Sequence, residues 1–402
     1  MKKNIILVAY AVKPNSGSET ALGWNTFLSL SLQHNVWLIT ESEFRREILD
    51  AVKRYNLDSS RITFIDIGDK ARQMCWNQGD WRFYLYYRGW QKDALNAAKF
   101  IDRSHAIDVF HHLNMIGFRE PGFLSTHKPN KTVLGPLGGF GNPSLILLVV
   151  NHVSILKIFK ELVKLCLNFL SLFLPHARKS IRSAGCLISA TPEACNYLNW
   201  FFNKDSTFIP ETGCSAQLEY PIVLPEKKFF LMIAKNQPRK GLVIGIKAFL
   251  KANVDCDLVV LGLSKDGFSY FKADKNIERV FFMGKVSHQY VQEKLSACSG
   301  LIFPSLHEGT SHAVVEALAY GAPVICFNNF SHGYLVSQYE GYTVDMNFLN
   351  KLNAVNIFSV LIKECFNSNE ELSERRKRSK KFRLQNSWSK KAESYSHIYD
   401  SL

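Results

Sequence analysis

Short, mostly apolar runs alternate with longer amphipathic stretches through most of the chain. The runs lack a regular polar alternation, which is typical of strands buried on both faces. The first half is predicted to contain strands at residues 5–10, 35–39, 62–67, 109–112, 132–134, 186–189 and 207–209, and helices at 19–32, 43–55 and 90–102. Strands that alternate with helices predict a parallel sheet covered on both faces.

The alternation lapses at residues 213–227, which contain two prolines and no clear period. It then restarts, with strands predicted at 229–234, 258–262, 280–283, 300–304 and 323–327 and helices at 241–251, 291–298 and 312–320. We therefore expect an α/β protein with two doubly wound Rossmann-like domains that face each other across an interdomain cleft. The predicted domains are residues 1–213 and 228–385, joined by a linker at 214–227 and followed by a final segment at 386–402.

The length and composition agree with this organisation. A chain of 402 residues corresponds to two or three domains at roughly 100–200 residues each. Hydrophobic residues make up 47% and charged residues 21%, an ordinary globular mixture that argues against disorder or a small disulfide scaffold. No uncharged apolar run reaches the roughly 18 residues that a membrane-spanning helix needs, so a polytopic membrane protein is not expected.

The net charge of +14 favours polyanionic partners, namely nucleic acid, an anionic membrane surface or phosphorylated substrates. The nine cysteines are odd in number and form no C-x-x-C pair, so neither a zinc site nor a disulfide framework is indicated. Reduced thiols and a cytoplasmic location are the simplest interpretation.

Three segments allow two interpretations each. Residues 5–12 follow two lysines and resemble a short signal peptide, but the turn-forming residues 14–17 favour a buried first strand. Residues 144–175 are apolar with Lys157, Lys160 and Lys164 on one helical face, which fits either an interfacial helix on an anionic membrane or a helix packed on its own domain. The basic segment 375–383 is either a solvated helix face or a membrane-facing patch.

The segment at residues 303–324 contains the most informative chemistry. A buried strand ends near residue 304, the small residues Gly309, Thr310 and Ser311 open a helix, and Gly321 closes it. The first amides of such a helix suit a phosphate or a sugar hydroxyl. Glu308 precedes the helix and Glu316 lies about two turns inside it, so both carboxylates can reach one pocket and accept paired hydroxyls. Two ordinary surface glutamates are the alternative.

This segment resembles the signature of the family 4 retaining glycosyltransferases of group 1, which have the GT-B fold. Other segments resemble family elements in the expected order. They are the first glycine-rich loop at 16–24, the strand end at 111–112, the glycine-rich segment 135–139, the hinge approach at 209–213, the AKNQPRKG turn at 234–241, the strand at 280–286, and Trp388 with Tyr399 in a closing helix. In this family the first domain binds the acceptor, the second binds the nucleotide sugar, and the last helix crosses back to the first domain.

The resemblance implies a role for each matching residue. Lys235 and Lys240 would hold the donor diphosphate, although Lys235 replaces the arginine usual in the family. Glu308 would bind hydroxyls of the transferred sugar, and Glu316 those of the ribose. His112 would orient the donor sugar near its anomeric carbon, with His111 as the alternative because only one of two successive strand residues can face the site. The further donor-binding positions implied are Gly17, Ser18, Gly284, Gly309, Thr310 and Ser311, and the implied catalytic residues are His112, Lys240 and Glu308.

The implied reaction is metal-independent transfer, with retention, from a UDP- or GDP-sugar to a glycan or lipid-linked glycan in bacterial surface polysaccharide or lipopolysaccharide synthesis. No cofactor, metal or nucleic acid is expected. The location implied is cytoplasmic, with peripheral attachment to the inner face of the cell membrane left open. The alternatives are a sugar-nucleotide epimerase of the same fold, a sugar-binding homologue without activity, and a basic nucleic-acid-binding protein.

Overall fold

The structure is a computed structural model that describes residues 2–76, 80–264, 275–368 and 370–402. The chain forms two compact units. The first contains Met1–Phe140, Asn168–Gly213 and Trp388–Leu402, and the second contains Gly141–Leu167 and Cys214–Ser387. Each unit has its own parallel sheet, as the alternating pattern predicted.

The sheet of the first unit has the strand order β3-β2-β1-β4-β5-β6-β7, and all its pairs are parallel. Its strands are rich in apolar residues, as expected for a sheet that helices cover on both faces. The strands are β1 Asn4–Ala9, β2 Asn35–Glu41, β3 Ile62–Ile65, β4 Val109–Asn114, β5 Thr132–Leu137, β6 Cys186–Ser189 and β7 Thr207–Phe208. The segment that resembles a short signal peptide thus contains a buried strand, β1.

The helices of the chain up to residue 213 connect these strands. They are α1 Ser18–Ser31, α2 Arg45–Arg54, α3 Asp69–Trp76, α4 Phe83–Ser104, α5 Leu145–Val150, α6 Ile155–Ser171, α7 Pro175–Ser183 and α8 Pro192–Phe202. The final helix of the chain, α16 Trp388–Asp400, belongs to the first unit, where Tyr395 and Tyr399 are fully buried in the core beside β1 and α1.

The sheet of the second unit has the order β10-β9-β8-β11-β12-β13, again with parallel pairs. The strands are β8 Phe229–Ile233, β9 Asp257–Leu261, β10 Val280–Phe282, β11 Gly300–Phe303, β12 Val324–Phe327 and β13 Tyr342–Val344. The helices are α9 Leu242–Ala252, α10 His288–Ala297, α11 His312–Ala319, α12 Phe330–Gln338, α13 Phe348–Leu352, α14 Ala354–Asn367 and α15 Leu372–Asn386.

The units divide between Gly213 and Cys214, next to the predicted end of the first domain, but one earlier segment departs from the predicted division. Residues 141–167 lie in the second unit, where Leu147 and Leu148 are fully buried in its core. Asn151 also caps α9, because its Oδ1 accepts hydrogen bonds from the amides of Val243 at 2.9 Å and Ile244 at 3.2 Å. Gly241 at the N-cap of α9 has no side chain to do this.

The predicted linker also packs within the second unit. Cys214 and Ile222 are both 5% exposed and belong to its hydrophobic core. The backbone of residues 214–227 is largely irregular and buries only isolated side chains, so the sequence shows no helical or strand period there.

One basic residue of the segment 375–383 is buried and does not face solvent. Arg375 is fully buried, and its guanidinium donates to the carbonyl oxygens of Tyr320 at 3.2 Å, Cys298 at 2.6 Å and Leu295 at 2.9 Å. These carbonyls lie at the carboxyl ends of α10 and α11, where a cation is favoured by the helix dipole. Arg375 therefore holds two helix ends together.

We expect Arg375→Ala to destabilise the second unit by about 3 kcal/mol or more, because three buried carbonyls lose their donor. Urea unfolding followed by far-UV circular dichroism measures this. All seven tryptophans lie in the first unit, so tryptophan fluorescence tracks that unit separately. The control is Arg376→Ala, an exposed neighbour, which should leave the midpoint unchanged. Equal midpoints for the two variants would contradict the role of Arg375.

Candidate functional site

The candidate site lies at the carboxyl ends of β8 and β11. The two strands are adjacent, but the chain leaves β8 toward β9 on one side and reaches β11 on the other. In open α/β sheets such a reversal point leaves a crevice at the strand ends, and ligands bind there. Two loops meet at this point, residues 234–241 after β8 and residues 304–311 after β11.

Gly241 allows the two loops to touch. Its φ is +64°, and a Cβ atom built on it would lie 1.9 Å from the carbonyl oxygen of Pro304. No side chain fits so close to a backbone oxygen, and a positive φ also favours glycine. The amide of Leu306 donates to the carbonyl of Arg239 at 2.7 Å, so the turn Pro238–Lys240 is fastened to the second loop.

Glu308 is the centre of a polar cluster formed by these loops. Its carboxylate makes an ion pair with Lys240, lies 2.7 Å from Nη1 of Arg239, and accepts a hydrogen bond from the hydroxyl of Ser305 at 3.0 Å. Burial alone would raise the pKa of Glu308, but the attraction of Lys240 and Arg239 outweighs it and lowers the pKa to about 2. The structure thus brings Lys240 and Glu308 together.

The ion pair with Glu308 does not raise the pKa of Lys240 above its ordinary value. Its pKa is lowered because burial and repulsion from Arg239 and Lys235 outweigh the attraction of Glu308. The pair thus stabilises the Glu308 anion strongly, whereas burial, together with the neighbouring cations, disfavours the Lys240 ammonium more than Glu308 favours it. Two cations, Lys240 and Arg239, share this one carboxylate, and a further anion would relieve the repulsion between them.

A buried histidine borders the cluster. His332 is fully buried in α12 with its ring centroid 5.2 Å from that of Phe303, and neither ring nitrogen has a hydrogen-bond partner among the described residues. Burial lowers the pKa of His332 to about 4, so the ring is neutral at pH 7. It adds no charge to the site.

Helix α11 begins beside Glu308. Ser311 is its N-cap, but the Ser311 side chain accepts no capping hydrogen bond. Thr310 and Ser311 are each 8% exposed, and Gly309 precedes them in the loop. The Ser311 hydroxyl therefore does not compete for the first amides of α11, which suit an incoming anion or hydroxyl.

Glu316 lies apart from the Glu308 cluster in its contacts. Its Oε1 is 2.5 Å from Nε2 of His288 at the start of α10, and no hydrogen bond or ion pair among the described residues joins it to Glu308. The hydrogen bond to Glu316 raises the pKa of His288 against the effect of burial. The predicted common pocket of the two glutamates therefore stays a prediction.

The remaining predicted residues of the second unit are placed as follows. Lys235 is exposed, beyond the carboxyl end of β8. Gly284 has a φ of +67° after β10, and its amide and carbonyl bond to Leu263 at 2.9 Å and Gly262 at 2.7 Å. Arg239, Ser305 and His288 were missed as site residues. Arg239 alone had a sequence signal, because it precedes Lys240 in the PRKG turn.

In the first unit, His111 has a structural environment. Its Nε2 is 2.7 Å from the carbonyl oxygen of Gly135 and must donate there, so its Nδ1 accepts from the Tyr399 hydroxyl at 2.7 Å. Both of its ring nitrogens are satisfied.

His112 lies on the other face of β4 and is only 1% exposed. Neither ring nitrogen makes a hydrogen bond of normal geometry among the described residues. Burial, with a contribution from His111, lowers the pKa of His112 to about 3, and the carbonyl of Pro121 opposes this weakly.

Gly17 is the N-cap of α1, and Ser18 follows with a φ of +62°. The roles predicted for these residues remain predictions.

The chain matches known proteins in agreement with this geometry. Residues 221–380 match the family model described as "Glycosyl transferases group 1". A Campylobacter jejuni protein, N-acetylgalactosamine-N,N'-diacetylbacillosaminyl-diphospho-undecaprenol 4-alpha-N-acetylgalactosaminyltransferase, is 24% identical over 192 residues, which is 47% of this chain and 49% of that protein. The chain spans about half the length of the curated relatives it matches. The match to the group 1 glycosyltransferases thus lies within the second unit.

Solved structures extend the likeness to both units. The lipopolysaccharide outer core galactosyltransferase WaaB in its apo form has a TM-score of 0.62 at 14% identity, covering 99% of this chain and 100% of that one. Anabaena HepE in complex with UDP and glucose has a TM-score of 0.56 at 12% identity, covering 100% of both chains. At these identities the likeness concerns the fold, which is that of the GT-B glycosyltransferases.

We expect Glu308→Gln to destabilise the second unit in a pH-dependent way. The folded carboxylate has a pKa of about 2 against an ordinary value of 4.5. Its contribution, up to about 3 kcal/mol, is present above pH 4.5 and is lost as the pH falls toward 2. The difference in unfolding free energy between wild type and variant should therefore shrink over this window in urea titrations. Glu374→Gln, at an exposed position, is the control; a pH-independent difference for Glu308→Gln would rule out the ion cluster.

Proposed function

We propose that this protein transfers a sugar from a nucleotide-activated donor to a hydroxyl group of a glycan or lipid-linked glycan acceptor. The observation that carries the proposal is the surplus of positive charge around Glu308, at the strand reversal of a group 1 glycosyltransferase domain. Lys240 and Arg239 suit the diphosphate of the donor. Glu308 suits hydroxyls of the sugar.

Glycosyl transfer expels a nucleoside diphosphate, so negative charge grows on its oxygens in the transition state. Cations and helix-start amides that are already in place stabilise this growing charge more than they stabilise the bound donor. Lys240 and the start of α11 can supply that stabilisation. We therefore propose transfer that is independent of a metal ion.

We further propose retention of the anomeric configuration by substitution on the same face, as in family 4. The double-displacement alternative needs a carboxylate nucleophile behind the anomeric carbon. Glu308 has a pKa of about 2, and an anion so well stabilised is a weak base and a weak nucleophile. A carboxylate offers about four acceptor positions, and three donors already approach that of Glu308. A position therefore remains for a hydrogen bond from a sugar hydroxyl.

Glu316 is proposed to bind the ribose hydroxyls, with His288 as its partner in the absence of donor. A bound ribose would displace His288 from the Glu316 carboxylate, or it would bind the second carboxylate oxygen while His288 keeps Oε1. The names of two similar proteins support a proposal for the acceptor class. The Campylobacter protein is named for a diphospho-undecaprenol-linked acceptor and WaaB for the lipopolysaccharide outer core, so we propose bacterial surface polysaccharide synthesis. HepE was solved with UDP, which makes UDP the first nucleotide to test.

We expect UDP binding to depend on the charge of Lys240. Lys240→Ala should weaken UDP binding about 10- to 100-fold, the effect of losing a charge-assisted hydrogen bond. The lowered pKa of Lys240 gives a second signature: UDP affinity should fall as the pH rises and the ammonium deprotonates. Lys240→Arg should remove this pH dependence because a guanidinium stays ionised. Titration calorimetry measures both, with GDP run in parallel.

The matched control for UDP binding is Lys363→Ala, an exposed lysine of α14, which should bind UDP like the wild type. If Lys240→Ala also binds UDP and GDP at full strength, the assignment of the diphosphate site is wrong.

The reaction itself is tested by incubating the wild type with UDP-sugars and bacterial glycolipid acceptors. We expect a new glycoside with the anomeric configuration of the donor, read by NMR, and no product from Lys240→Ala. Release of an altered sugar nucleotide without acceptor would identify an epimerase instead. Binding to duplex DNA with loss at high salt, and no nucleotide binding, would favour the nucleic-acid alternative.

A further inference from the structure

Helix α6 presents an uncovered apolar surface. None of its residues is buried. Its nine exposed large apolar side chains, 38–81% accessible, are Ile155, Leu156, Phe159, Leu162, Val163, Leu165, Leu167, Phe169 and Leu170. Soluble proteins seldom expose a continuous apolar surface of this kind unless something binds to it.

The apolar side chains of α6 occupy one broad face. At about 100° per residue, they cover an arc of roughly 200°, and the polar residues form a narrower strip on the opposite side. Lys157, Lys160 and Lys164 lie in this strip. The single acidic residue of α6, Glu161, is paired with Lys164 at 3.0 Å, so the strip is net positive.

We propose that α6 docks in the interfacial layer of an anionic lipid bilayer, with its axis parallel to the membrane surface. The apolar face would enter the boundary of the acyl chains, and the lysine strip would meet anionic headgroups. A broad apolar face with Phe and Leu and a basic polar face defines such helices. The net charge of +14 adds long-range attraction to the same surface.

The length and sequence of α6 fit an attachment at the surface. Seventeen residues span about 26 Å, and a lysine of the polar strip recurs on every turn of the first half, so the sequence of α6 contains no long uncharged run. No helix in the described ranges is long and apolar enough to cross a membrane. Phe169 continues the surface to Phe173, which is 52% exposed, since the centroids of their rings are 5.6 Å apart.

This docking site goes beyond the proposed transfer reaction and does not rest on it. Lipid binding requires neither donor nor acceptor, so the two proposals can fail separately. If both hold, α6 keeps the enzyme on the surface that carries a lipid-linked acceptor.

The experiment is flotation of the full-length protein with vesicles of phosphatidylcholine containing about one-quarter phosphatidylglycerol, in the absence of any nucleotide sugar. We expect the wild type to float with these vesicles, to bind pure phosphatidylcholine less, and to bind less at high salt because lysine–headgroup attraction is screened. Failure of the wild type to float with anionic vesicles overturns the proposal.

The first variant is the double change Leu156→Asp and Phe159→Asp, at side chains that are 74% and 65% exposed. The partition coefficient should fall at least about tenfold, because two charges enter the apolar face. The matched control is Leu32→Asp with Leu384→Asp, which are 76% and 66% exposed and lie outside α6. The control has the same change in net charge and should bind like the wild type.

The second variant tests the basic strip. Replacing Lys157, Lys160 and Lys164 by Gln should weaken binding to anionic vesicles and leave binding to neutral vesicles nearly unchanged. The matched control replaces Arg376, Lys377 and Lys380, exposed on α15, by Gln. Greater loss in the α15 control than in the α6 variant overturns the proposal in favour of the basic segment 375–383.

Light scattering tests whether the apolar face of α6 binds a second copy of the chain instead of a membrane. If the wild type is a dimer that the Leu156→Asp and Phe159→Asp changes dissociate, while vesicle binding is absent or unchanged, then α6 joins two copies and the proposal is wrong. Thermal melting of the same samples confirms that the exposed substitutions leave the fold intact.

Discussion

The close approach of Gly241 to the carbonyl of Pro304 is the constraint on which the candidate site depends. Any side chain at residue 241 would enter space occupied by that oxygen, which lies 1.9 Å from the position of a Cβ. The approach fastens the loop after β8 to the loop after β11, and it brings Lys240 and Arg239 to Glu308. The ion cluster is therefore a consequence of backbone packing at the strand reversal.

The sequence predicted the parts of the structure that depend on local pattern. The alternation of apolar runs with helices predicted both parallel sheets, and the Gly–Thr–Ser turn predicted the start of α11. The membership of residues 141–167 in the second unit was not predictable in this way. It depends on Asn151, whose Oδ1 caps α9 some ninety residues away, and no local period reports such a contact.

The same limit applies to charged side chains. The charge run 375–383 is typical of a solvated helix, yet Arg375 is buried because the ends of α10 and α11 converge on it. The spacing of Glu308 and Glu316 suggested a shared pocket, whereas in the structure Glu308 contacts Lys240 and Glu316 contacts His288. Tertiary packing decides which side chain pairs with each carboxylate, and a linear motif does not contain that information.

Arg375 and Lys240 show how a structural buried cation differs from one that can serve a ligand. Arg375 donates to three carbonyl oxygens, and Glu370 lies 3.8 Å away. Its charge is thus compensated within the fold by three carbonyl oxygens and one carboxylate. Lys240 shares its one carboxylate with Arg239, and repulsion within the cluster contributes to its lowered pKa. An anion bound there would offset the repulsion between Lys240 and Arg239, and this is the physical argument for our proposal that the donor diphosphate binds beside Lys240.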